Sequence, residues 1–165
     1  MVLVLRKIGV SERRVVEGID MDPEQEAYAG GSIGEVFAKI GKSPEGCHLF
    51  ALMCDDIAVG FVVAREGTAA PTWVRRGCIS LHNLRIDSRM RGRGFGKSAI
   101  RLAAQWIRAN RPEVVRVLAS VNNNNALAMR FNLARGFTPT GATVDGSLGP
   151  QTILAASVDT LVRNQ

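Results

Sequence analysis

The sequence predicts an α/β domain in which a mixed central β-sheet is flanked by helices. The chain has 165 residues, of which 46% are hydrophobic and 22% are charged, as is typical of one globular domain with a buried core. Segments with the apolar pattern of strands alternate with segments that have helical spacing. A strand, a glycine-rich loop and a helix follow one another directly in the middle of the chain. No repeat or linker divides residues 1–165, so we expect a single domain.

The N-terminal half is predicted to contain a strand, two helical segments and a β-hairpin. In chain order these are residues 2–8, 11–19, 23–40 and 47–66. Asp22 and Pro23 form a typical helix start, in which a capping residue is followed by a proline in the first turn. Gly30 and Gly31 weaken that helix and predict a break within it. Asp55 separates two β-rich runs, which predicts the turn of the hairpin.

The C-terminal half is predicted to begin with the strand at residues 78–87, which leads into the glycine-rich loop. The helix after the loop carries an apolar stripe that includes Ile100, Ala103 and Ile107. A buried strand, a short helix ending at Gly136 and two closing strands complete the prediction, and they occupy residues 114–121, 126–135, 137–145 and 151–158.

The distribution of charge makes the chain bipolar. Residues 85–116 hold nine Lys or Arg against two acidic residues, whereas residues 17–35 hold six acidic residues and no Lys or Arg. One region therefore suits an anion and the other a cation. The longest apolar run, residues 57–64, is too short to span a bilayer. Three cysteines without a CxxC pattern argue against a disulfide framework, and we expect a cytoplasmic protein.

The glycine-rich loop reads MRGRGFGKSAI at residues 90–100. A Walker A loop would need a glycine where Arg91 stands, and a dinucleotide-binding GxGxxG pattern fails as well. The loop instead matches Arg-x-x-Gly-x-Gly at Arg91, Gly94 and Gly96. Glycines allow the backbone N–H groups to approach one anion, and the N-terminus of the following helix adds its positive dipole end. The loop therefore predicts a pyrophosphate site.

The residues that we expect to contact the pyrophosphate form one continuous run along the loop. They are Arg91, Gly92, Arg93, Gly94, Phe95, Gly96, Lys97 and Ser98. Three of them supply full positive charges. Ser98 has two interpretations, as a phosphate contact or as an ordinary residue of the first helical turn, and the direction of helix N-termini favours the contact.

Two segments together resemble the central motifs of the GNAT superfamily of N-acetyltransferases. They are LRIDSRMRGRGFGKSAIRLA and VNNNNALAMRFNLARGF. The resemblance implies the GNAT fold, with a splayed strand pair at the acyl-CoA site, and acetyl-CoA as co-substrate without a metal. It places Asn125 and Phe131 near the carrier. It also assigns the stretch Leu84, Arg85 and Ile86 to the strand that receives the thioester. Asn125 is equally well explained as a helix cap.

The resemblance implies direct transfer of the acetyl group to an amine. The amine must lose a proton before it attacks, and the thioester oxygen gains negative charge, which a backbone N–H near Leu84 would stabilise. His82 is the favoured base, although a half-buried structural histidine explains it as well. Family members commonly place a tyrosine where this chain has Asn132. The leaving thiolate is then protonated by Tyr28, by water or not at all, and water is favoured.

The acidic segment predicts the acceptor. Glu24, Glu26, Tyr28 and Glu35 are the expected acceptor-binding residues, and the segment resembles that of bacterial family members that acetylate spermidine and spermine. This favours a primary amine of a small cationic acceptor such as a polyamine. A solvated helix face explains the same charges. The alternatives are a protein N-terminus or lysine, or an aminoglycoside-like amine.

Three rival interpretations remain open at this point. The basic segment could bind nucleic acid, but no aromatic residues are interleaved with it, so neither nucleic acid nor a membrane is an expected partner. A metal site is disfavoured because the cysteines and histidines lack zinc-ligand spacing; the residues concerned are Cys47, His48, Cys54, Cys78 and His82. A CoA-binding sensor without turnover is the third. The resemblance also suggests a homodimer.

Overall fold

The computed structural model describes residues 2–164, and it contains one seven-stranded sheet with the strand order β1-β2-β3-β4-β5-β7-β6. The strands are β1 (Leu3–Ile8), β2 (Cys47–Cys54), β3 (Ile57–Arg65), β4 (Cys78–Ile86), β5 (Arg116–Asn122), β6 (Thr138–Gly146) and β7 (Gly149–Ser157). The helices are α1 (Pro23–Tyr28), α2 (Ile33–Gly41), α3 (Phe95–Asn110), α4 (Ala126–Arg135) and α5 (Val158–Arg163). Met1 and Gln165, the ends of the predicted domain, lie outside the described residues.

The sheet is mixed, as predicted. The β4–β5 pair is parallel, and the other neighbouring strands are antiparallel. Each helix of residues 2–164 is too short or too polar to cross a membrane.

Three helical predictions have different outcomes. The segment predicted as a helix at residues 11–19 is a short 3₁₀ helix, Val10–Val15. The next segment breaks as expected, because Gly30 and Gly31 have φ angles of +94° and +97° and separate α1 from α2. Helix α5 was not predicted, since the apolar pattern before it reads as the end of a strand.

The sheet buries both of its faces. Alternate residues of β2 point in opposite directions, so that Phe50 packs on the side of α3 whereas Leu49 and Met53 pack on the side of α2. Strands buried on both faces read as nearly continuous apolar runs, which explains the pattern of β2 and β3.

Strands β4 and β5 separate soon after they start. Their pairing covers only Cys78–Ser80 against Arg116–Leu118, although β4 continues to Ile86. The β3–β4 register shifts beyond Val63, where Asn83 has a φ of +58°. Such a bulge bends its strand and increases the local twist. The splayed strand pair that the sequence predicted is therefore present, and it opens the sheet at its centre.

Candidate active site

A cavity of about 430 Å³ lies where β4 and β5 separate. Residues 81–84 of β4 and residues 119–122 of β5 form two of its walls. Helices on both faces of the sheet complete it, with Tyr28 and Lys39 on one side and Ile100 and Phe131 on the other. The cavity therefore runs through the sheet at the splay.

The glycine-rich loop lies at the N-terminus of α3, a 16-residue helix. Gly92 and Gly94 adopt left-handed φ angles of +77° and +78°, and open space surrounds the position of a Cβ at both residues. Gly94 is the N-cap of α3, and its carbonyl accepts the Ser98 N–H at 3.0 Å. Phe95 is 2% exposed and anchors the turn in the core. The first N–H groups of the helix lack intrahelical acceptors and are available to an anion.

The charged residues of the loop differ in their partners. Arg91 forms an ion pair with Asp22, with 2.6 Å between Nη2 and Oδ2. The Gln25 backbone N–H and the Arg91 guanidinium together hold the pKa of Asp22 below its usual value. Arg93 is exposed and Lys97 is half-buried, and neither has an ion pair within residues 2–164.

Helix α4 closes the cavity close to the loop. A Cβ at Gly96 would lie 3.0 Å from the Phe131 ring, so only glycine allows this approach of the two helices. Asn125 caps α4 by accepting the Ala128 N–H at 3.2 Å, and the same oxygen accepts from Gln25 at 3.4 Å. Asn125 is 7% exposed and lines the cavity. The predicted cap is present, and the assignment of Asn125 to the carrier stays a prediction.

The three predicted residues of β4 have different surroundings. Leu84 lines the cavity, whereas Ile86 packs in the apolar cluster of Phe95. The Arg85 side chain is 2% exposed and donates to the carbonyls of Ala29 and Gly31 at 2.7 and 3.0 Å. Burial lowers the pKa of Arg85. The side chain of Arg85 thus supports the α1–α2 connection, and only its backbone is available to the carrier.

His82 lines the cavity from β4. Its Nε2 lies 2.6 Å from the Ser80 hydroxyl, which also lies 3.4 Å from the Arg65 carbonyl oxygen. Burial, assisted by the positive charge of Arg65, lowers the pKa of His82 to about 3. The imidazole is therefore neutral at physiological pH, and a pKa this low makes it a weak base.

Two residues relevant to the leaving thiolate also line the cavity. They are Tyr28 from α1 and Asn132 from α4. The Asn132 amide donates to the Ala128 carbonyl at 2.8 Å, which stabilises its own helix. A phenol can give up a proton and an amide cannot. Of these two residues, Tyr28 is therefore the one that could protonate the thiolate.

The predicted acceptor carboxylates lie outside the cavity lining. Glu24 is exposed, and Glu35 accepts from Ser32 at 3.2 Å at the start of α2. Glu26 is half-buried and lies near the Arg85 guanidinium. Of the four predicted acceptor residues, the structure brings only Tyr28 to the cavity.

Sequence reasoning missed the two charged residues that do line the cavity, Lys39 and Arg65. Lys39 is an exposed residue of α2, and Arg65 ends an apolar strand. An arginine after eight residues of strand reads as an ordinary strand end, so no local pattern marked it.

The cysteines and histidines of the rival metal interpretation are not assembled into a site. Within residues 2–164 no group of three or more His, Cys, Asp or Glu side chains is placed to hold a metal ion. His48 instead contacts Glu66, with 2.5 Å between Nε2 and Oε2, and Glu66 also accepts from Arg111 at 2.8 Å. This polar cluster joins β2 to the end of α3.

Comparison with known proteins agrees with this architecture. Residues 13–137 match the sequence model of the Acetyltransferase (GNAT) family. No curated protein has significant sequence similarity to the chain.

Several solved structures have the same fold. One is aminoglycoside acetyltransferase AAC(6')-Ib in complex with paromomycin and acetyl-CoA, with 16% identity, coverage of 99% of this chain and 97% of that chain, and a TM-score of 0.75. An acetyltransferase from Thermus thermophilus has 21% identity, coverage of 95% of this chain and 97% of that chain, and a TM-score of 0.68. A spermidine N-acetyltransferase chimera from Vibrio cholerae SpeG and hSSAT has 14% identity, 98% coverage of both chains and a TM-score of 0.70.

Proposed function

Because the chain belongs to the GNAT family of acetyl-CoA-dependent N-acetyltransferases, we propose that it transfers the acetyl group directly to the primary amine of a small acceptor. The observation that carries this proposal is the cavity at the β4–β5 splay, which runs through the sheet beside the start of α3. A thioester held on one face of the sheet and an amine on the other would meet there.

The pyrophosphate of acetyl-CoA would bind the loop from Arg91 to Ser98. Two left-handed glycines with open space around them support this assignment, as does the N-terminus of a long helix. Arg93 and Lys97 add positive charge without an ion-pair partner of their own in residues 2–164. The pantetheine arm would then pass between Phe131 and Leu84 into the cavity.

The reaction requires three catalytic functions. The amine must be neutral when it attacks, the carbonyl oxygen must be stabilised as it becomes negative, and the thiolate must be protonated as it leaves. The backbone N–H of Leu84 is our candidate for stabilising the carbonyl oxygen. Water is our candidate for protonating the thiolate, and Tyr28 is the phenol that lines the cavity.

We assign the removal of the amine proton to His82. The Ser80 hydroxyl has one proton, which we place on the Arg65 carbonyl side, so that Ser80 accepts from His82 Nε2–H. The Nδ1 atom of His82 then has the free lone pair and would relay the amine proton to water, because its low pKa prevents it from holding that proton.

This assignment is tested by nitrogen-15 NMR of the histidine ring and by kinetics. We expect the Nε2–H tautomer in the wild type and its loss in Ser80→Ala. His82→Gln should lower kcat and leave the affinity for CoA unchanged. His48→Gln is the matched control, because His48 lies in the polar cluster at the end of α3. An Nδ1–H tautomer, or an unchanged kcat in His82→Gln, would reject the assignment.

The acceptor predicted from the acidic segment is a polyamine. The solved neighbours of this fold include an aminoglycoside and a spermidine acetyltransferase, so both classes belong in an acceptor screen. Glu24, Glu26 and Glu35 support the polyamine only if they guide a cation from outside the cavity, since they do not line it.

Release of free CoA thiol from acetyl-CoA tests the function directly. The screen includes polyamines, aminoglycosides, amino acids and short peptides, with each reaction compared with acetyl-CoA hydrolysis without an amine. We expect amine-dependent release together with an N-acetylated product in the mass spectrum. Tight CoA binding without release from any amine would instead favour a sensor.

We also propose a homodimer in the cytoplasm. Strand β6 is at the edge of the sheet, and seven of its nine residues are exposed, so it offers backbone groups to a partner strand. The three cysteines are free thiols, which suits a reducing compartment. Light scattering during size-exclusion chromatography tests the dimer, and a monomer at all concentrations would reject it.

A further inference from the structure

The charge of the cavity lining is opposite to the charge that a polyamine site would need. Two basic residues line the cavity, Lys39 from α2 and Arg65 from β3, and no Asp or Glu side chain of the described residues does. A polycation would meet positive charges at short range in a partly dehydrated space, where electrostatic interactions are strong. An anionic group would be attracted by both residues.

Arg65 has donor capacity that the protein does not use. Its Nε is buried and has no hydrogen-bond partner within residues 2–164, and the guanidinium takes part in none of their ion pairs. Buried polar groups are nearly always hydrogen-bonded, because an unpaired group loses its hydration without compensation. The Nε atom itself is shielded from the cavity, so an anionic ligand would be bound by the terminal guanidinium nitrogens of Arg65, which lines the cavity and forms no ion pair in residues 2–164.

Asn83 has a hydrogen-bond acceptor without a partner in residues 2–164. Its Nδ2 donates to the Ala29 carbonyl at 3.0 Å, which determines the orientation of the amide. Its Oδ1 is buried and unpaired within residues 2–164. Asn83 lines the cavity between His82, our candidate base, and Leu84, our candidate oxyanion residue. The oxygen itself is shielded from the cavity, so it offers no contact to a ligand there.

Arg65 and the segment from His82 to Leu84 line the same cavity. Arg65 is paired with Ser80 across β3 and β4, three residues before Asn83 on β4. This separation corresponds to about 10 Å along an extended strand, and the long arginine side chain can shorten it. A small molecule with an amine beside His82 and Leu84 and an anionic group at Arg65 would span this distance.

We propose that the acceptor is a small amine that also carries an anionic group, a carboxylate or a phosphate, bound by Arg65 and Lys39. This inference rests on the proposed N-acetyltransferase function and names its substrate class. The neutral amine attacks the thioester carbonyl, the C–N bond forms as the C–S bond breaks, and the proton lost by nitrogen protonates the CoA thiolate.

Matched pairs of amines that differ only in the anionic group test the proposal. Suitable pairs are L-lysine with cadaverine, L-ornithine with putrescine, and phosphoethanolamine with ethanolamine. We expect kcat/KM to be at least about tenfold higher for the anionic member, because a charged hydrogen bond contributes that much. The first two pairs report a preference for carboxylate and the third a preference for phosphate.

Variants connect the preference to the cavity. Arg65→Met should remove most of the preference, because it lowers kcat/KM for the anionic member much more than for the counterpart that lacks the anionic group. Arg65→Lys should retain part of it. Lys39→Met should reduce it as well. The matched controls are Arg116→Met and Lys42→Met, which remove exposed cations of β5 and of the end of α2 that do not line the cavity.

The outcomes separate this inference from the function on which it rests. Equal rates within each pair, faster reaction of the diamines, or equal effects of Arg65→Met on both members would overturn the inference and leave the acetyltransferase function intact. If thiol release does not depend on the amine for any pair, both the inference and the acetyltransferase function are overturned. Unchanged melting temperatures of the variants confirm that their folds are intact.

Discussion

Asn83 adopts a left-handed backbone conformation in the middle of β4, with a φ of +58°. Asparagine is one of the few residues with a side chain that accept this conformation at modest cost. At this bulge His82 and Leu84 come to the wall of the same cavity. The cost for His82 is burial in a position where its protonated form is poorly solvated. The chemistry of the site and its pH sensitivity therefore have one origin.

The buried His82 predicts that stability falls in mild acid. Its pKa is about 3 in the folded protein, against an ordinary value of 6.5, so the unfolded state binds more protons between these values. The free energy of unfolding should decrease as pH falls below 6.5, and the loss from this residue is about 2 kcal/mol at pH 5. Urea denaturation of wild type and His82→Gln at pH 7 and 5 measures the difference.

Other groups with lowered pKa values serve as controls for this measurement. Asp87 has a pKa of about 2, chiefly because Arg89 hydrogen-bonds to it, and it loses its contribution only below its ordinary value of 3.8. His48 also has a pKa lowered by burial. His48→Gln should therefore retain the part of the acid sensitivity that His82 contributes. An equal pH dependence in wild type and His82→Gln would show that His82 is not buried in this way.

The contact between α4 and α5 gives a prediction at the level of secondary-structure elements. Gly136 ends α4 with a φ of +106°, and a Cβ there would lie 2.6 Å from Thr160 Cγ2 of α5. Gly136→Ala should cost about 1–2 kcal/mol from the left-handed backbone and more from the clash. Gly141→Ala isolates the backbone cost, because Gly141 has a φ of +89° in open space. Equal losses in urea denaturation of the two variants would show that the helices do not touch here.

The same elements show where sequence reasoning succeeds. The glycine-rich loop was predicted because its chemistry is local: Gly94 supplies the left-handed turn and α3 begins directly after it. The break between α1 and α2 was predicted for the same reason. Helix α5 has only six residues, too few for its apolar period to stand out from the end of β7.

The cavity lining could not be predicted, because it depends on packing between distant segments. Lys39 and Arg65 come from α2 and β3, and Glu24 and Glu35 come from the same acidic region as Tyr28. Nothing in the sequence distinguishes Tyr28, which lines the cavity, from Glu24 and Glu35, which do not. Charge counts over a segment predicted a cation site, whereas the lining of the cavity supports an anion.

At the scale of the whole molecule, three of the nine basic residues of the basic segment form ion pairs within the fold. Arg89 pairs with Asp87, Arg91 with Asp22 and Arg111 with Glu66. Each pair reduces the positive field over the surface. Other basic residues of the segment without an ion pair in residues 2–164 are spread from Arg93 and Lys97 at the glycine-rich loop to Arg108 at the end of α3 and Arg116 in β5.

Carrier binding should stabilise the entire domain. Acetyl-CoA at about a hundred times its Kd raises the free energy of unfolding by about 2.7 kcal/mol, which corresponds to a rise in Tm of about 5–10 °C for a chain of this size. Gly94→Asp should abolish the shift, since its carboxylate would oppose the phosphates. Gly141→Asp introduces the same carboxylate with similar backbone strain in β6 instead of the glycine-rich loop, and it should keep the shift. A full shift in Gly94→Asp would place the carrier elsewhere.

The passage through the sheet at the β4–β5 splay has a consequence for the kinetic order of the reaction. The carrier would approach from the side of α3 and α4, and the acceptor from the side of α1 and α2, so neither blocks the route of the other. Both reactants can then be bound at once, in either sequence, and no acetylated enzyme needs to form. Double-reciprocal plots at several fixed acceptor concentrations should therefore intersect, whereas parallel lines would indicate that one product leaves before the second reactant arrives.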